Sequence, residues 1–162
     1  MKIGVIADTH ISDAGDKLPD EILTAFKDVD LIIHAGDLVN LRVLDMLRRS
    51  SKDVRAVYGN MDPAGVREKL PPKQVISIGK HRVGVMHGYG NPRMLLDVLE
   101  REFKSDNVGL VIFGHSHQAV NFKKGGCLYF NPGSPTDKMF APYNSFGIIE
   151  INDKIEARII KI

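Results

Sequence analysis

The first sixty residues alternate two hydrophobic patterns, and that alternation leaves few folds open. Ile3 to Ala7, Leu31 to Ala35 and Val54 to Tyr58 are short continuous apolar runs, the pattern of strands covered on both faces. Between them, Pro19 to Lys27 and Val39 to Arg49 carry helical signals. In the first, Pro19 suits the opening turn, and Asp20 and Glu21 favour the positive end of the helix dipole. Ile22, Leu23 and Phe26 then form an apolar stripe. In the second, Leu44 and Leu47 point inward, and Arg48 and Arg49 sit at the negative end. A β-α-β-α-β order builds a parallel sheet with right-handed crossovers.

The second half changes character. Gln74 to Ile78 and Arg82 to Met86 read as a hairpin around Gly79-Lys80-His81, which places His81 in an exposed turn. A third helix is predicted over Met94 to Phe103, with Pro92 setting its start. Further strands are predicted over Val108–Phe113, Ala119–Phe122, Cys127–Phe130, Phe146–Ile151 and Ile155–Ile160. Gly125-Gly126 and Asn152-Asp153 supply turns between neighbours. These are too many strands for one small sheet, and the helices number only three. The expected fold is therefore α/β, a four-layer α-β-β-α sandwich of two mixed sheets, with residues 1–162 as one domain. No repeat or linker interrupts it, and Pro71-Pro72 reads as a rigid bend.

Composition narrows the partners. The 22 basic and 20 acidic residues leave a net charge of +2, too small to mark nucleic acid or an anionic membrane as a ligand. No apolar stretch approaches the ~20 residues of a membrane span. The N-terminus shows no signal-peptide pattern. The single Cys127 sits in the apolar run Cys127–Phe130, where a small buried thiol is the simple reading, and it allows no internal disulfide. Together these predict a cytoplasmic protein.

The chemistry lies where the apolar runs stop. Asp8-Thr9-His10, Gly36-Asp37, Gly59-Asn60, His87-Gly88 and Gly114-His115-Ser116-His117 each follow a predicted strand. Loops at the ends of parallel strands gather on one sheet edge, so residues distant in sequence can meet there. Asp8 and His10, like His115 and His117, are two apart, and in extended chain such residues point the same way. Glycine before Asp37 and Asn60 lets the backbone bend toward a ligand. Carboxylate, imidazole and amide oxygen together suit two divalent ions. Such a centre acidifies water and attracts phosphate oxygens, which points to phosphoryl hydrolysis. His34 reads either as an orienting residue behind the ligands or as a satisfied buried histidine.

This series of motifs resembles the calcineurin-like metallophosphoesterase superfamily. The short length and Asn131-Pro132-Gly133-Ser134 are similar to its small bacterial and archaeal phosphodiesterase branch. The resemblance implies a metal-dependent phosphoric diester hydrolase with two divalent ions, Mn²⁺ favoured, with Ni²⁺, Zn²⁺ or Fe²⁺ able to substitute. Asp8, His10, Asp37 and His117 would hold one ion. Asp37 would bridge to a second, held also by Asn60, His87 and His115, and a bridging water or hydroxide would attack phosphorus in line. Asp37, Asn60 and His87 would thereby serve catalysis directly. Asn131 to Ser134 would shape the substrate side, or form only a tight turn. The implied partner is a small-molecule phosphodiester, with a homo-oligomer left open. Alternatives are a phosphomonoesterase and a non-catalytic scaffold of the same fold, similar to the small retromer subunit.

One position departs from the superfamily pattern. Many members carry histidine after the Gly-Asn pair, where it assists the leaving group; here the residue is Met61. A thioether donates no proton. Asp62 or water is left as the candidate acid. No arginine follows directly to meet a doubly charged monoester, Arg67 being the nearest on that side.

Overall fold

A computed structural model describes residues 1–12 and 15–162. The chain runs β1 (Lys2–Ile6), α1 (Asp20–Ala25), β2 (Leu31–His34), α2 (Arg42–Arg48), β3 (Val54–Ala56), α3 (Ala64–Arg67), β4 (Lys73–Ile78) and β5 (His81–Met86). It continues through α4 (Leu95–Glu102), β6 (Leu110–Ile112), β7 (Val120–Lys124), β8 (Cys127–Asn131), β9 (Ser145–Ile151) and β10 (Ile155–Lys161). Single 3-10 turns extend α1 through Phe26–Asp28 and precede α4 at Pro92–Met94.

Two mixed five-stranded sheets result, ordered β10-β9-β1-β2-β3 and β4-β5-β6-β8-β7. β1, β2 and β3 are parallel, with Ile3 opposite Leu31 and Ile32 opposite Val54. β5, β6 and β8 are parallel in the other sheet, with Val83 opposite Leu110 and Leu110 opposite Leu128. The outer strands β9, β10, β4 and β7 pair antiparallel.

Side-chain alternation explains the continuous apolar runs. Ile3, Val5, Leu31 and Ile33 face Val83, Val85, Leu110, Ile112 and Phe130 across the space between the sheets. Ile6 and Ile32 point the other way, onto Ile22 and Phe26 of the first helical segment and Leu44 and Leu47 of α2. Val111 and Tyr129 on the far face meet Leu95, Leu99 and Phe103 around α4. The four-layer sandwich is therefore present, each central strand being covered twice. No helix among the described residues is long and apolar enough to cross a membrane.

Three local expectations change. α2 begins at Arg42, not at Val39, because Val39 sits at φ 69° and cannot belong to a right-handed helix. Asn40 starts the turn instead, its Oδ1 accepting from the Arg42 N–H at 3.0 Å. A fourth helix, the single turn Ala64–Arg67, was too short to leave a periodic trace. His81 opens β5 and does not occupy the turn; it is half-buried with Nε2 3.1 Å from the Asn152 carbonyl.

Candidate metal centre

β1, β2 and β3 of one sheet and β5 and β6 of the other end on the same edge. The loops after them carry Asp8 and His10, Asp37, Asn60, His87, and His115 and His117 respectively. Five of these side chains meet in two groups. Asp8, His10 and His117 can converge on one point, and Asp8, Asp37 and His87 on another. Asp8 Oδ1 lies 3.9 Å from His10 Nε2, 3.5 Å from His117 Nε2 and 3.8 Å from His87 Nε2. Asp37 Oδ2 also touches both groups, 3.7 Å from His10 Nε2 and 3.2 Å from His87 Nε2.

The convergence does not come from extended chain. Asp8, His10, Asp37, His115 and His117 all have φ between 45° and 72°, in the left-handed region. The i, i+2 rule of a strand therefore fails here, and tight left-handed turns aim the ligands. Such conformations cost non-glycine residues free energy and persist where surrounding structure enforces them. Backbone links supply that enforcement. Asp8 N–H donates to Gly36 O at 3.0 Å, and His10 N–H to Asp37 O at 3.1 Å. Gly59 has no room for a side chain, since a Cβ there would collide with Asp37 Oδ1.

His87 tests most directly whether the residues present fit a cation. Its ring is buried, and Nδ1 donates to the Ala35 carbonyl at 2.8 Å. Nε2 faces the carboxylates of Asp8 and Asp37, 3.8 and 3.2 Å away, buried and without a well-formed hydrogen bond. Buried polar atoms are rarely left so, and a cation between Nε2 and the carboxylates would satisfy it.

The same logic holds at the other imidazoles. His115 Nε2 lies 2.7 Å from the Gly90 carbonyl, which can only accept, so the proton sits there. Its Nδ1 lies 2.8 Å from Asn60 Oδ1. His117 Nδ1 donates to Asp137 Oδ2, and its Nε2 points at His10 Nε2, 3.2 Å away. A divalent cation lying between two such ring nitrogens would be held by both. The donor set thus fits divalent ions.

Electrostatics agree. Burial drives the Asp8 carboxyl up to about 6, against the pull of His87 and His117. Burial also acts to raise Asp37, but His87 and the Met61 N–H outweigh it and leave the carboxyl below its ordinary range. Burial lowers His87, and Asp37 and Asp8 more than reverse this. Burial holds His10 below the ordinary imidazole value.

All seven sequence-predicted ligands face this edge. Three other expectations are corrected or decided. Asp62 is not a proton donor: its carboxylate is buried and accepts from the N–H groups of Asp37 at 3.0 Å, Val39 at 2.6 Å and Gly59 at 2.7 Å. Arg67 does not face a phosphate site; it donates to the carbonyls of Asp62 at 2.7 Å and Asn60 at 2.6 Å, clamping that loop. His34 is buried and neutral, pushed by burial down to about 3. It links Thr9 Oγ1, 3.1 Å from Nε2, with the Gly36 N–H at Nδ1, so it braces two ligand loops from behind.

Asn131 to Ser134 act from behind as well. Asn131 Nδ2 donates to Gly114 O at 2.8 Å, and Ser134 Oγ to Asp8 O at 2.7 Å. Asp137 had no sequence signal. Its carboxyl is pulled down to about 2: burial opposes this, and the His117 ring and the N–H groups of Met139 and Phe140 outweigh it.

The site opens into a cleft of about 1150 Å³ lined by His10, Asp37, Asn60, Met61, His115 and His117, and bordered by Lys17, Lys138, Met139 and Phe140.

Residues 1–154 match the profile of the calcineurin-like phosphoesterase superfamily domain, and the chain belongs to that superfamily. It is similar to a probable metallophosphoesterase of Methanocaldococcus jannaschii, 38% identical over an alignment of 166 positions that covers 100% of this chain and 82% of the relative. It is also similar to the vacuolar protein sorting-associated protein 29 of Schizosaccharomyces pombe, 30% identical over 144 residues covering 84% of this chain and 73% of that one. Among solved structures, an archaeal phosphodiesterase superposes with a TM-score of 0.81 at 28% identity, covering 100% of both chains. The family supplies the expectation of divalent metal, and the ligand groups described above are where this chain would hold it.

Proposed function

We propose that this protein is a phosphodiesterase that uses two divalent ions. The observation that carries the reading is His87 Nε2, buried, unpartnered and aimed at Asp8 and Asp37. Asp8, His10, Asp37 and His117 would hold one ion, and Asp37, Asn60, His87 and His115 the other. Asp37 Oδ2 supports the bridging role because it reaches one imidazole of each group. When bound, the ions would supply Lewis acidity and an activated water for in-line attack on phosphorus. The mixed O/N donor set accepts Mn²⁺, Ni²⁺, Zn²⁺ or Fe²⁺.

The chain's own groups do the positioning. Met61 N–H donates to Asp37 Oδ1 at 2.7 Å and fixes that carboxylate. His115 N–H lies within 3.2 Å of both Asp8 oxygens and fixes the other. Diesters are favoured over monoesters because Arg67 is committed to the loop backbone, leaving Lys17 and Lys138 as the cationic border of the cleft among the described residues. The alternative reading, a scaffold without catalysis, draws on the similarity to the vacuolar sorting protein.

Loading with Mn²⁺, metal analysis and assay with bis(p-nitrophenyl) phosphate separate the two readings. The enzyme reading expects about two ions per chain and hydrolysis that Asp37→Ala abolishes. Full metal content without hydrolysis of any diester would sink it.

A further inference from the structure

Met139 and Phe140 expose 80% and 70% of their surface, and Met61 exposes 59%. All three border the cleft that holds Asp37, Asn60, His115 and His117. Large apolar side chains displayed together beside a polar site mark recognition of an apolar group.

The turn that carries them is built, not loose. Asp137 Oδ1 accepts from Met139 N–H at 2.7 Å, and Oδ2 from Ala141 N–H at 2.9 Å. Phe140 N–H lies 3.1 Å from both oxygens. Asn144 Nδ2 donates to Asp137 O at 2.7 Å, and Thr136 Oγ1 to Thr9 O at 2.7 Å. The Phe140 ring sits edge-on to His117, centroids 6.2 Å apart and planes at 76°. An aromatic surface thus stands beside His117 and open to the cleft, on a turn whose backbone is held by Asp137.

We propose that Met139 and Phe140 form a subsite for a planar ring carried by the ester substrate. The inference rests on the phosphodiesterase reading and adds which esters are preferred. Phe140 offers a ring for stacked or edge contacts, and methionine adapts its thioether to a ring of any outline. A nucleobase and a simple aryl group share this chemistry.

The test measures binding to the Mn²⁺-loaded protein of three methylphosphonate monoanions, the ethyl, phenyl and thymidin-5′-yl esters. At least one ring ester is expected to bind about five- to ten-fold more tightly than the ethyl ester, the scale of an aromatic contact. Which ring ester gains tells aryl from nucleobase. In the Met139→Ala/Phe140→Ala double variant the ratio should fall to near one, and Phe140→Tyr should keep it. An undiminished ratio in the double variant, or no ring preference in the wild type, overturns the subsite. A dimer that dissociates in the double variant would assign the lip to a second copy and also overturn it. Failure of every ester, the ethyl ester included, to bind would instead overturn the phosphodiesterase reading and the subsite with it.

Discussion

Asp137 accepts a hydrogen bond from Nδ1 of His117, and that bond turns Nε2 toward His10 and Asp8. A carboxylate behind a ligating imidazole fixes its tautomer and raises its basicity. Asp137→Asn should therefore weaken metal binding by about 10- to 100-fold. Titration calorimetry with Mn²⁺ reads the change directly. Unaltered affinity would mean that the Asp137 contact only shapes the turn.

Asp62 ties two loops together by accepting from Asp37 and Val39 of one and Gly59 of the other. Asp62→Asn places an amide N–H against at least one of the three backbone donors that now meet a carboxylate oxygen. We expect a loss of stability of about 2–4 kcal/mol, typical of buried donors left without an anionic acceptor. Chemical denaturation of the metal-free variant measures it. A loss below about 0.5 kcal/mol, the range of ordinary surface changes, would show that the loops hold each other without Asp62.

The gathering of these seven side chains was legible in the sequence because each follows an apolar strand, and strand ends share an edge. The reason for their aim was not legible. Positive φ at Asp8, His10, Asp37, His115 and His117 depends on loop-to-loop hydrogen bonds that no local pattern reports. Asp62 was visible as an acid beside Asn60, but its three donors come from two loops and only the fold joins them. Asp137 lies in a loop without periodicity, and its relation to His117 spans 20 residues. The helix over Val39 to Arg49 was half right: the apolar face at Leu44 and Leu47 was readable, while the left-handed turn at Val39 is imposed by Asp62.

Metal binding should release protons at acid pH. Asp8 titrates near 6, and His87 is raised above its ordinary value, so both carry protons in the metal-free protein at pH 5. The sign for folding follows. A carboxyl raised in the folded state contributes stability that is present below its unfolded value near 4 and is lost as pH rises to about 6. His34, lowered to about 3, acts oppositely, its neutral burial becoming less costly as pH rises toward 6.5. The two slopes offset in the metal-free protein, so the metal-induced rise in Tm is the informative quantity. It should be larger at pH 7 than at pH 5, with metal binding releasing more protons near pH 5 than at neutral pH. Calorimetry in buffers of different ionisation enthalpy counts them. A Tm rise independent of pH would remove Asp8 and His87 from the ligand set.

Met61 tests the leaving-group chemistry. Its side chain is 59% exposed and borders the cleft, while its N–H holds Asp37. Asp62 cannot supply a proton because its oxygens are occupied by backbone donors. The reaction should therefore depend steeply on leaving-group acidity, fast for p-nitrophenol and slow for alkyl alcohols. Met61→His places an imidazole at this exposed position and leaves the backbone bond to Asp37 in place. General-acid assistance is commonly worth ~10²–10⁴-fold when geometry is ideal, so an unoptimised histidine should gain about 10-fold on alkyl esters. On p-nitrophenyl esters, whose anion leaves unaided, the gain should be under about twofold. The decisive comparison is the dependence of kcat/KM on leaving-group pKa in both proteins. A parallel shift at every leaving group would mean that the histidine alters binding or metal position, and the general-acid account of position 61 would be withdrawn.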